Sequence, residues 1–450
     1  MSASIFKAYD IRGLVDVEIT PEFTFATGAA FARFLKGERE PGTVVIGEDM
    51  RPSSPALADA FSAGVTSQGL DVIRIGLAST DMLYFAAGKL NLPGAMFTAS
   101  HNPAAYNGIK MCLSGARPIG KESGLLTIEK FVEEGSPVAL SQVGVESQRE
   151  MLDDYVSHLL KLVDVSKIRK LKIVVDAGNG MAGHTAPAVF SRMNAEIVEM
   201  YYELDGTFPN HEANPIDPEN LRDLQKAVKQ HKADIGLAFD GDADRCFLVD
   251  EKGDLVNPSA LTSLIATREL AKYPGSTIIY NLISSKSVPE VVAENGGTSV
   301  RSRVGHSYIK KLMAETGAVF GGEHSGHFYF RDFWRADSGM LAALHAIAAL
   351  GENEVPLSQL LTPFNRYISS GEINSTVSDA PAASRQIEEI YGSQDGVQLD
   401  HLDGLTVTGD TWWFNLRASN TEPLLRLNVE AATEGEMASV RDAVLKTIRA

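Results

Sequence analysis

The sequence predicts an α/β fold: three related α/β domains with mixed sheets, followed by a smaller α+β C-terminal domain. Three observations carry this. Strand-like and helix-like runs alternate from about residue 40 to about residue 350. The last strand of each of three successive units runs into a polar motif, at residues 98–103, 240–245 and 322–327. After residue 365 the pattern changes to loops rich in Ser, Ala and Gly, short strands and a closing helix.

In the first unit, residues 43–47, 71–76 and 94–98 read as strands and 55–68 as a helix. In the second, strands at 171–176, 196–202 and 234–239 surround a helix at 219–231. The third has strands at 276–282, 298–301 and 318–320, with helices near 307–316 and 339–350. The polar stretch 134–149 separates the first two units, and a turn at 251–253 separates the second from the third. The tail carries strands at 412–418 and 424–431 and a helix from Glu434. The expected domains are therefore 1–149, 150–252, 253–363 and 364–450. In open α/β sheets ligands bind beyond the carboxyl ends of the strands. The three recurring motifs thus read as loops offered to one site at a domain junction.

A chain of 450 residues, 44% hydrophobic and 22% charged, has the composition of a globular protein of several domains. No apolar run is long enough to span a bilayer, and Met1-Ser2-Ala3-Ser4-Ile5-Phe6-Lys7 has no signal-peptide pattern. The expected location is cytoplasmic, with no membrane partner. A net charge of −17 opposes nonspecific nucleic-acid binding and requires local basic residues for any anionic substrate. The two cysteines, Cys112 and Cys246, lie in apolar strand-like runs and are expected as buried free thiols, not as a disulfide.

Asp240-Gly241-Asp242-Ala243-Asp244-Arg245 follows the apolar run Ile235-Gly236-Leu237-Ala238-Phe239. Three carboxylates at alternate positions raise one another's pKa unless a cation holds them, and Mg²⁺ suits a site that keeps room for substrate oxygens. Asp240, Asp242, Asp244 and Glu251 also match acidic positions of an EF-hand. Arg245 stands where that loop needs Gly, and the flanks read as strands, so a calcium loop is excluded.

Thr98-Ala99-Ser100-His101-Asn102-Pro103, followed by Tyr106-Asn107-Gly108-Ile109-Lys110, places a hydroxyl on a strand-to-loop corner beside an imidazole and near an ammonium. Such a Ser can carry a covalent phosphoryl group, or the segment can be a turn with Asx chemistry. Gly322-Glu323-His324-Ser325-Gly326-His327 suits vicinal sugar hydroxyls. No third His or Cys supports zinc at His324 and His327. Arg417-Ala418-Ser419-Asn420-Thr421-Glu422-Pro423, with Arg426, suits a dianionic phosphate or a hairpin with surface arginines. Gly178-Asn179-Gly180-Met181-Ala182-Gly183, with Glu203 about twenty residues on, fits a dinucleotide fingerprint and keeps an NAD(P)-dependent dehydrogenase as an alternative of a different class.

Taken together and in this order, the motifs resemble the α-D-phosphohexomutase superfamily, most closely its phosphomannomutase/phosphoglucomutase branch. The resemblance covers essentially the whole chain, from Phe6-Lys7-Ala8-Tyr9-Asp10-Ile11-Arg12-Gly13 onward. It implies an intramolecular phosphotransferase that interconverts hexose 1-phosphate and hexose 6-phosphate, of mannose or glucose, through a phosphoserine and a hexose 1,6-bisphosphate that also serves as activator. It implies phosphorylation of Ser100 and Mg²⁺ held by Ser100, Asp240, Asp242 and Asp244. Ser100, His101, Lys110 and His327 would form the catalytic set, with Lys110 and His327 as acid and base. Tyr9, Arg12, Arg245, Lys286, His306, Glu323, Ser325, Arg417, Ser419, Asn420, Thr421 and Arg426 would bind substrate, and the C-terminal domain would move. His324 stands where this branch often has Met, which bears on sugar preference. A phosphoglucosamine mutase and a sugar phosphatase are the neighbouring alternatives, and a monomer or small homo-oligomer is expected.

Overall fold

Three sheets with helices packed on them and a fourth antiparallel sheet make up the chain. The computed structural model describes residues 5–135, 139–377, 379–418 and 424–449, and leaves the side chains of His306 and Ser307 undescribed. The chain forms two units, Met1–Val256 with Ser325–Leu360, and Asn257–His324 with Leu361–Ala450.

The first unit opens with β1 (Ile11–Leu14), α1 (Pro21–Gly37), β2 (Thr43–Glu48), α2 (Ser54–Ser67), β3 (Asp71–Leu77), α3 (Thr80–Leu90), β4 (Gly94–Phe97) and β5 (Tyr106–Leu113). Then come β6 (Arg117–Pro118), α4 (Leu125–Glu133) and β7 (Glu146–Gln148). The sheet order is β1-β5-β4-β2-β3-β7, with β6 on β5. β2 pairs parallel with β3 and β4, whereas β5 runs antiparallel to β1 and β4. Val44, Val45 and Ile46 are fully buried, as central parallel strands require. Local signals start the helices: Thr20 caps α1 ahead of Pro21, and Ser79 caps α3 by accepting from the Met82 amide. Residues 106–110 form the first part of β5, so Lys110 sits on a strand opposite Met96.

The same unit continues with α5 (Leu152–Leu162), β8 (Leu171–Asp176), α6 (Ala182–Phe190), β9 (Ala195–Met200), α7 (Arg222–His231), β10 (Ile235–Phe239) and β11 (Cys246–Asp250). The order β11-β10-β8-β9 is parallel except for β11. All five residues of β10 are buried, so its last peptide delivers Asp240 to the sheet's carboxyl end from a rigid support.

The chain then enters the second unit through α8 (Pro258–Lys272), β12 (Thr277–Asn281), α9 (Ser287–Glu294), β13 (Thr298–Ser302), α10 (His306–Thr316) and β14 (Phe320–Gly322). β12 pairs parallel with both β13 and β14. At Ser325 the chain returns to the first unit with β15 (Phe328–Phe330), β16 (Ala336–Asp337), α11 (Gly339–Gly351) and α12 (Leu357–Leu360). The sequence grouped these residues with 253–363, and β15 and β16 extend the sheet of β12 to β14, in the order β13-β12-β14-β15-β16. The sequence of α11, Gly-Met-Leu-Ala-Ala-Leu-His-Ala-Ile-Ala-Ala-Leu-Gly, is apolar almost all round, and every residue of it is buried. It packs on β11 and β15, with its last residue against Ile168.

The second unit ends in β17 (Ile368–Thr376), α13 (Ala380–Gly392), β18 (Gln398–Asp400), β19 (Leu405–Thr408), β20 (Trp412–Ala418), β21 (Leu424–Ala431) and α14 (Glu434–Ile448). The sheet β17-β21-β20-β19-β18 is antiparallel throughout. Phe414, Leu416, Leu425, Leu427 and Val429 form its core with Ile387 and Val444 of the two helices. Cys112 and Cys246 are buried and unbridged. Among the described residues, no helix is long and apolar enough to cross a membrane.

Candidate active site

Ser100 follows β4 and is 1% exposed. Its φ of 51° lies in the left-handed region, which is sparsely used by residues other than Gly. Such a conformation persists where the surroundings over-determine it. Arg51, also 1% exposed, supplies that constraint. Its guanidinium donates to the carbonyls of Ser100 (3.0 Å), Asn102 (2.6 Å), Pro103 (3.0 Å) and Tyr106 (3.0 Å), and its Nε lies 3.2 Å from the Asp49 carboxylate. The Ser100 hydroxyl donates to Asp240 Oδ2 at 2.9 Å and lies 3.2 Å from His101 Nδ1.

The acidic loop packs on this turn backbone to backbone. A Cβ on Gly241 would stand 2.4 Å from the Ser100 carbonyl oxygen, and one on Gly180 would stand 2.6 Å from the Gly241 carbonyl oxygen. Gly180 thus serves a close approach to the acidic loop, Gly183 one to the Tyr202 carbonyl, and Gly178 a positive φ of 54°, which accounts for the three without a dinucleotide. Asp240, Asp242 and Asp244 are all at most 1% exposed, and one oxygen of each lies within 4.8 Å of the others. Lys110 Nζ sits 2.7 Å from Asp242 Oδ2 and 2.6 Å from Asp244 Oδ2. Asp242 Oδ1 is buried and has no hydrogen-bond partner among the described residues, and Asp244 Oδ1 has only the longer approaches of His327 Nε2 at 3.5 Å and Arg245 Nε at 3.9 Å. Buried anionic oxygens without partners are costly, and a hard divalent cation is the group that satisfies them. The residues present therefore fit a metal ion.

The electrostatics are uneven across the loop. Burial, reinforced by Asp244 and Asp242, pushes the Asp240 carboxyl well above the usual carboxylate range. Burial also works upward on Asp244, but Lys110, His327 and Arg245 outweigh it and hold that carboxyl well below its ordinary value. Lys110 is pushed down by burial and more strongly up by Asp242 and Asp244, so it stays an ammonium.

Arg245 joins this loop to two imidazoles. Its Nε donates to His327 Nε2 at 3.2 Å, and its Nη2 lies 3.1 Å from His101 Nδ1. Both ring nitrogens therefore act as acceptors. His327 Nδ1 lies 3.0 Å from the Ser325 hydroxyl, and its Nε2 also lies 3.5 Å from Asp244 Oδ1. Arg245, burial and Arg12 together hold His101 well below the ordinary histidine value. Arg12 reaches Asn102 Oδ1 and pairs with Asp10. Tyr9 is half-buried in the segment before β1.

The expected residues of the second unit are placed separately. Glu323 is buried at the end of β14, where Oε1 accepts from the Gly305 amide at 3.1 Å. Lys286 is the N-cap residue just before α9 and donates to the Asp410 carbonyl at 3.2 Å. Arg417 and Arg426 face each other directly on β20 and β21, with Glu372 3.9 and 3.6 Å away and Asp403 3.6 Å from Arg417. Ser419, Asn420 and Thr421 lie outside the described residues, as does the side chain of His306, the first residue of α10. Arg51 and Thr80, which donates to Asp242, were missed from the sequence. Apart from Asp49 beside Arg51, the partners described above lie 49 to 162 residues away, and only the position of each just after a strand hinted at a role.

Successive α/β domains that bring a buried, strained serine turn against three clustered acids and two imidazoles have the composition of an enzyme's site. Four consecutive segments match the phosphoglucomutase/phosphomannomutase family: its α/β/α domain I at residues 3–138, domain II at 153–253, domain III at 257–367 and its C-terminal domain at 372–447. Among curated relatives, the phosphohexose mutase of Xanthomonas campestris pv. campestris is 41% identical and covered over 98% of both chains. The phosphomannomutase of Salmonella typhimurium is 40% identical, covering 98% of this chain and 97% of the relative. A phosphoglucomutase/phosphomannomutase family protein from Burkholderia thailandensis has a solved structure that superimposes with a TM-score of 0.90 at 32% identity, covering 100% of this chain and 98% of that one. The chain belongs to the phosphoglucomutase/phosphomannomutase family and is a phosphohexomutase.

Proposed function

We propose that this enzyme interconverts the 1-phosphates and 6-phosphates of mannose and glucose, with Ser100 as the phosphoryl carrier and Mg²⁺ as its metal. The observation that carries the proposal is the Ser100 hydroxyl, held in a strained turn 2.9 Å from an aspartate of a cation-ready cluster. When bound, Mg²⁺ would supply positive charge to the transferring phosphoryl group, with Asp240, Asp242 and Asp244 as its protein ligands. Phosphorylated Ser100 gives its phosphoryl group to the free hydroxyl of a hexose phosphate. The resulting hexose 1,6-bisphosphate turns end for end and returns its other phosphate to Ser100, and free bisphosphate serves as activator.

His327 Nε2 faces Arg245 and the Asp244 carboxylate, which supports His327 as the group that takes the sugar hydroxyl's proton. His101, held neutral next to Ser100, keeps the serine oxygen oriented. Lys110 is held as an ammonium, so it is assigned as charge stabiliser and proton donor, not as base. Arg12 and Arg245 supply further positive charge, with Tyr9 and Ser325 alongside. In the second unit, Glu323 is assigned to sugar hydroxyls and Arg417 and Arg426 to the phosphate that is not transferred. Lys286, His306, Ser419, Asn420 and Thr421 complete the assignment of substrate contacts. Domain boundaries at 149, 252 and 363 belong to the same proposal.

The test is Ser100→Ala. Intact-mass and peptide analysis of active enzyme should place a phosphate on Ser100, and the variant should stay folded while losing nearly all turnover of hexose 1-phosphate given trace bisphosphate. Full activity in the variant would remove Ser100 from the mechanism.

A further inference from the structure

We propose that Thr80 is a positioning residue that fixes which oxygen of Asp242 is offered to the cation, and thereby sets the site's preference for magnesium over calcium. The proposal rests on the reading that the three aspartates hold a divalent ion.

Thr80 is the first residue of α3 and is fully buried. Its hydroxyl donates to Asp242 Oδ2 at 2.6 Å, and its amide donates to the Asp242 carbonyl at 3.0 Å. The first amides of a helix have no partner inside the helix, and here one of them is given to the metal loop. One residue therefore fixes both the backbone and the carboxylate of Asp242. Lys110 takes the same Oδ2 at 2.7 Å. Two donors thus occupy Oδ2, whereas Oδ1 is buried with no hydrogen-bond partner among the described residues. The carboxylate is turned so that one oxygen, and only one, is available.

The support behind Thr80 is itself fixed. Asp81 accepts from Ser79, from the Tyr155 hydroxyl at 2.7 Å and from the Ser338 hydroxyl at 2.6 Å. Ser338 caps α11, and the next residue, Gly339, lies against the Arg245 and Ala243 carbonyls. Two helix starts, tied together through Asp81, thus grip the loop at residues 242–245. Groups that orient a ligand carboxylate commonly change metal affinity about 10- to 100-fold when removed.

The chemical consequence is selectivity. Magnesium demands near-octahedral geometry with short bonds, while calcium accepts more oxygens and bidentate carboxylates. Holding Asp242 to one oxygen lowers the number of ligands on offer and favours the smaller ion. Without the Thr80 hydroxyl, the mobile ammonium of Lys110 is the one side-chain donor left on Oδ2 among the described residues, and the carboxylate can turn to bring that oxygen toward a larger ion.

The experiment measures Mg²⁺ and Ca²⁺ binding by calorimetry on full-length protein, without substrate, for wild type and for Thr80→Val, Thr80→Ala, Thr80→Ser and Asp242→Asn. Thr80→Val is nearly isosteric and keeps the amide. It should weaken Mg²⁺ by about tenfold or more and leave Ca²⁺ unchanged or tighter. Thr80→Ala should do the same, and Thr80→Ser, which retains the hydroxyl, should restore wild-type values. A general structural defect would weaken both ions together and lower the melting temperature, and that pattern in both Val and Ala overturns the proposal. An unchanged Mg²⁺ to Ca²⁺ ratio in Thr80→Val, or a Thr80→Ser protein as impaired as Thr80→Val, overturns it equally. Wild-type binding in Asp242→Asn would instead overturn the underlying metal assignment.

Discussion

Asp81 is a carboxyl with no exposed surface, surrounded by three hydroxyls that donate to it. Burial raises its pKa from 3.8 to about 6 despite those hydrogen bonds. Because the folded value is above the unfolded one, the native state binds the proton more firmly. The contribution to stability is present below about pH 4 and is lost as pH rises through 6. At 1.36 kcal/mol per pKa unit the loss is up to roughly 3 kcal/mol. Asp81→Asn has no such term, so its stability relative to wild type should improve by that amount between pH 4 and pH 7.5 in urea unfolding. Identical pH dependence in the two proteins would show that Asp81 does not titrate in this window. The chemistry-bearing residues were legible where they cluster in short runs, as Ser100 with His101 and the three aspartates do. Thr80, Asp81 and Arg51 were not, because an ordinary Thr, Asp or Arg after a strand acquires its meaning only from a partner in a distant segment.

At the scale of elements, alternation of apolar runs was enough to place the strands β2, β3, β8, β10, β20 and β21, since buried parallel strands and half-buried antiparallel ones leave strong local patterns. Grouping of elements was less visible. The apolar sequence of α11 announces complete burial, yet nothing local says what will bury it, and it packs on both β11 and β15. The contact between the nucleophile turn and the acidic loop was equally hidden, because it is made by backbone. It gives a sharp expectation for Gly241→Ala. The new methyl group would meet the Ser100 carbonyl oxygen at 2.4 Å, and neither backbone can yield without moving the hydroxyl from Asp240. Overpacking of this kind costs about 1–3 kcal/mol. A lower melting temperature together with loss of Ser100 phosphate in the intact mass is expected. Normal phosphorylation and turnover would show that the two loops can separate without consequence.

For the molecule as a whole, a net charge of −17 opposes an approaching sugar phosphate, so Arg12, Lys110 and Arg245 must reverse the field locally. Sugar preference depends on finer detail. Glu323 is buried with one oxygen already accepting from Gly305, and burial lowers the pKa of the neighbouring His324 despite opposition from Glu372. If Glu323 and Ser325 read hydroxyls shared by mannose and glucose, the two 1-phosphates should have kcat/KM values within about tenfold, since only a hydroxyl bonded by the site is discriminated sharply. Glucosamine 1-phosphate should be a much poorer substrate. A coupled assay across the three sugars checks this, and a strong preference for the amino sugar would reassign His324 as its recogniser.

The return of the chain to the first unit at Ser325 has a consequence for how the enzyme is made. When Val256 leaves the ribosome, the acidic loop and its strand exist, but Ser338, Gly339 and α11 do not. Asp81 then lacks one of its donors, and the loop lacks one of the two helix starts that grip it. At translation speeds of about 5–20 residues per second, the nascent chain waits roughly 5–20 s before Leu360 emerges. The second unit's first sheet is synthesised during that pause. The order of synthesis therefore places completion of the acidic loop after the third sheet's strands have been made, so a ribosome stalled before residue 325 carries a chain whose first two sheets can form and whose acidic loop is still incomplete.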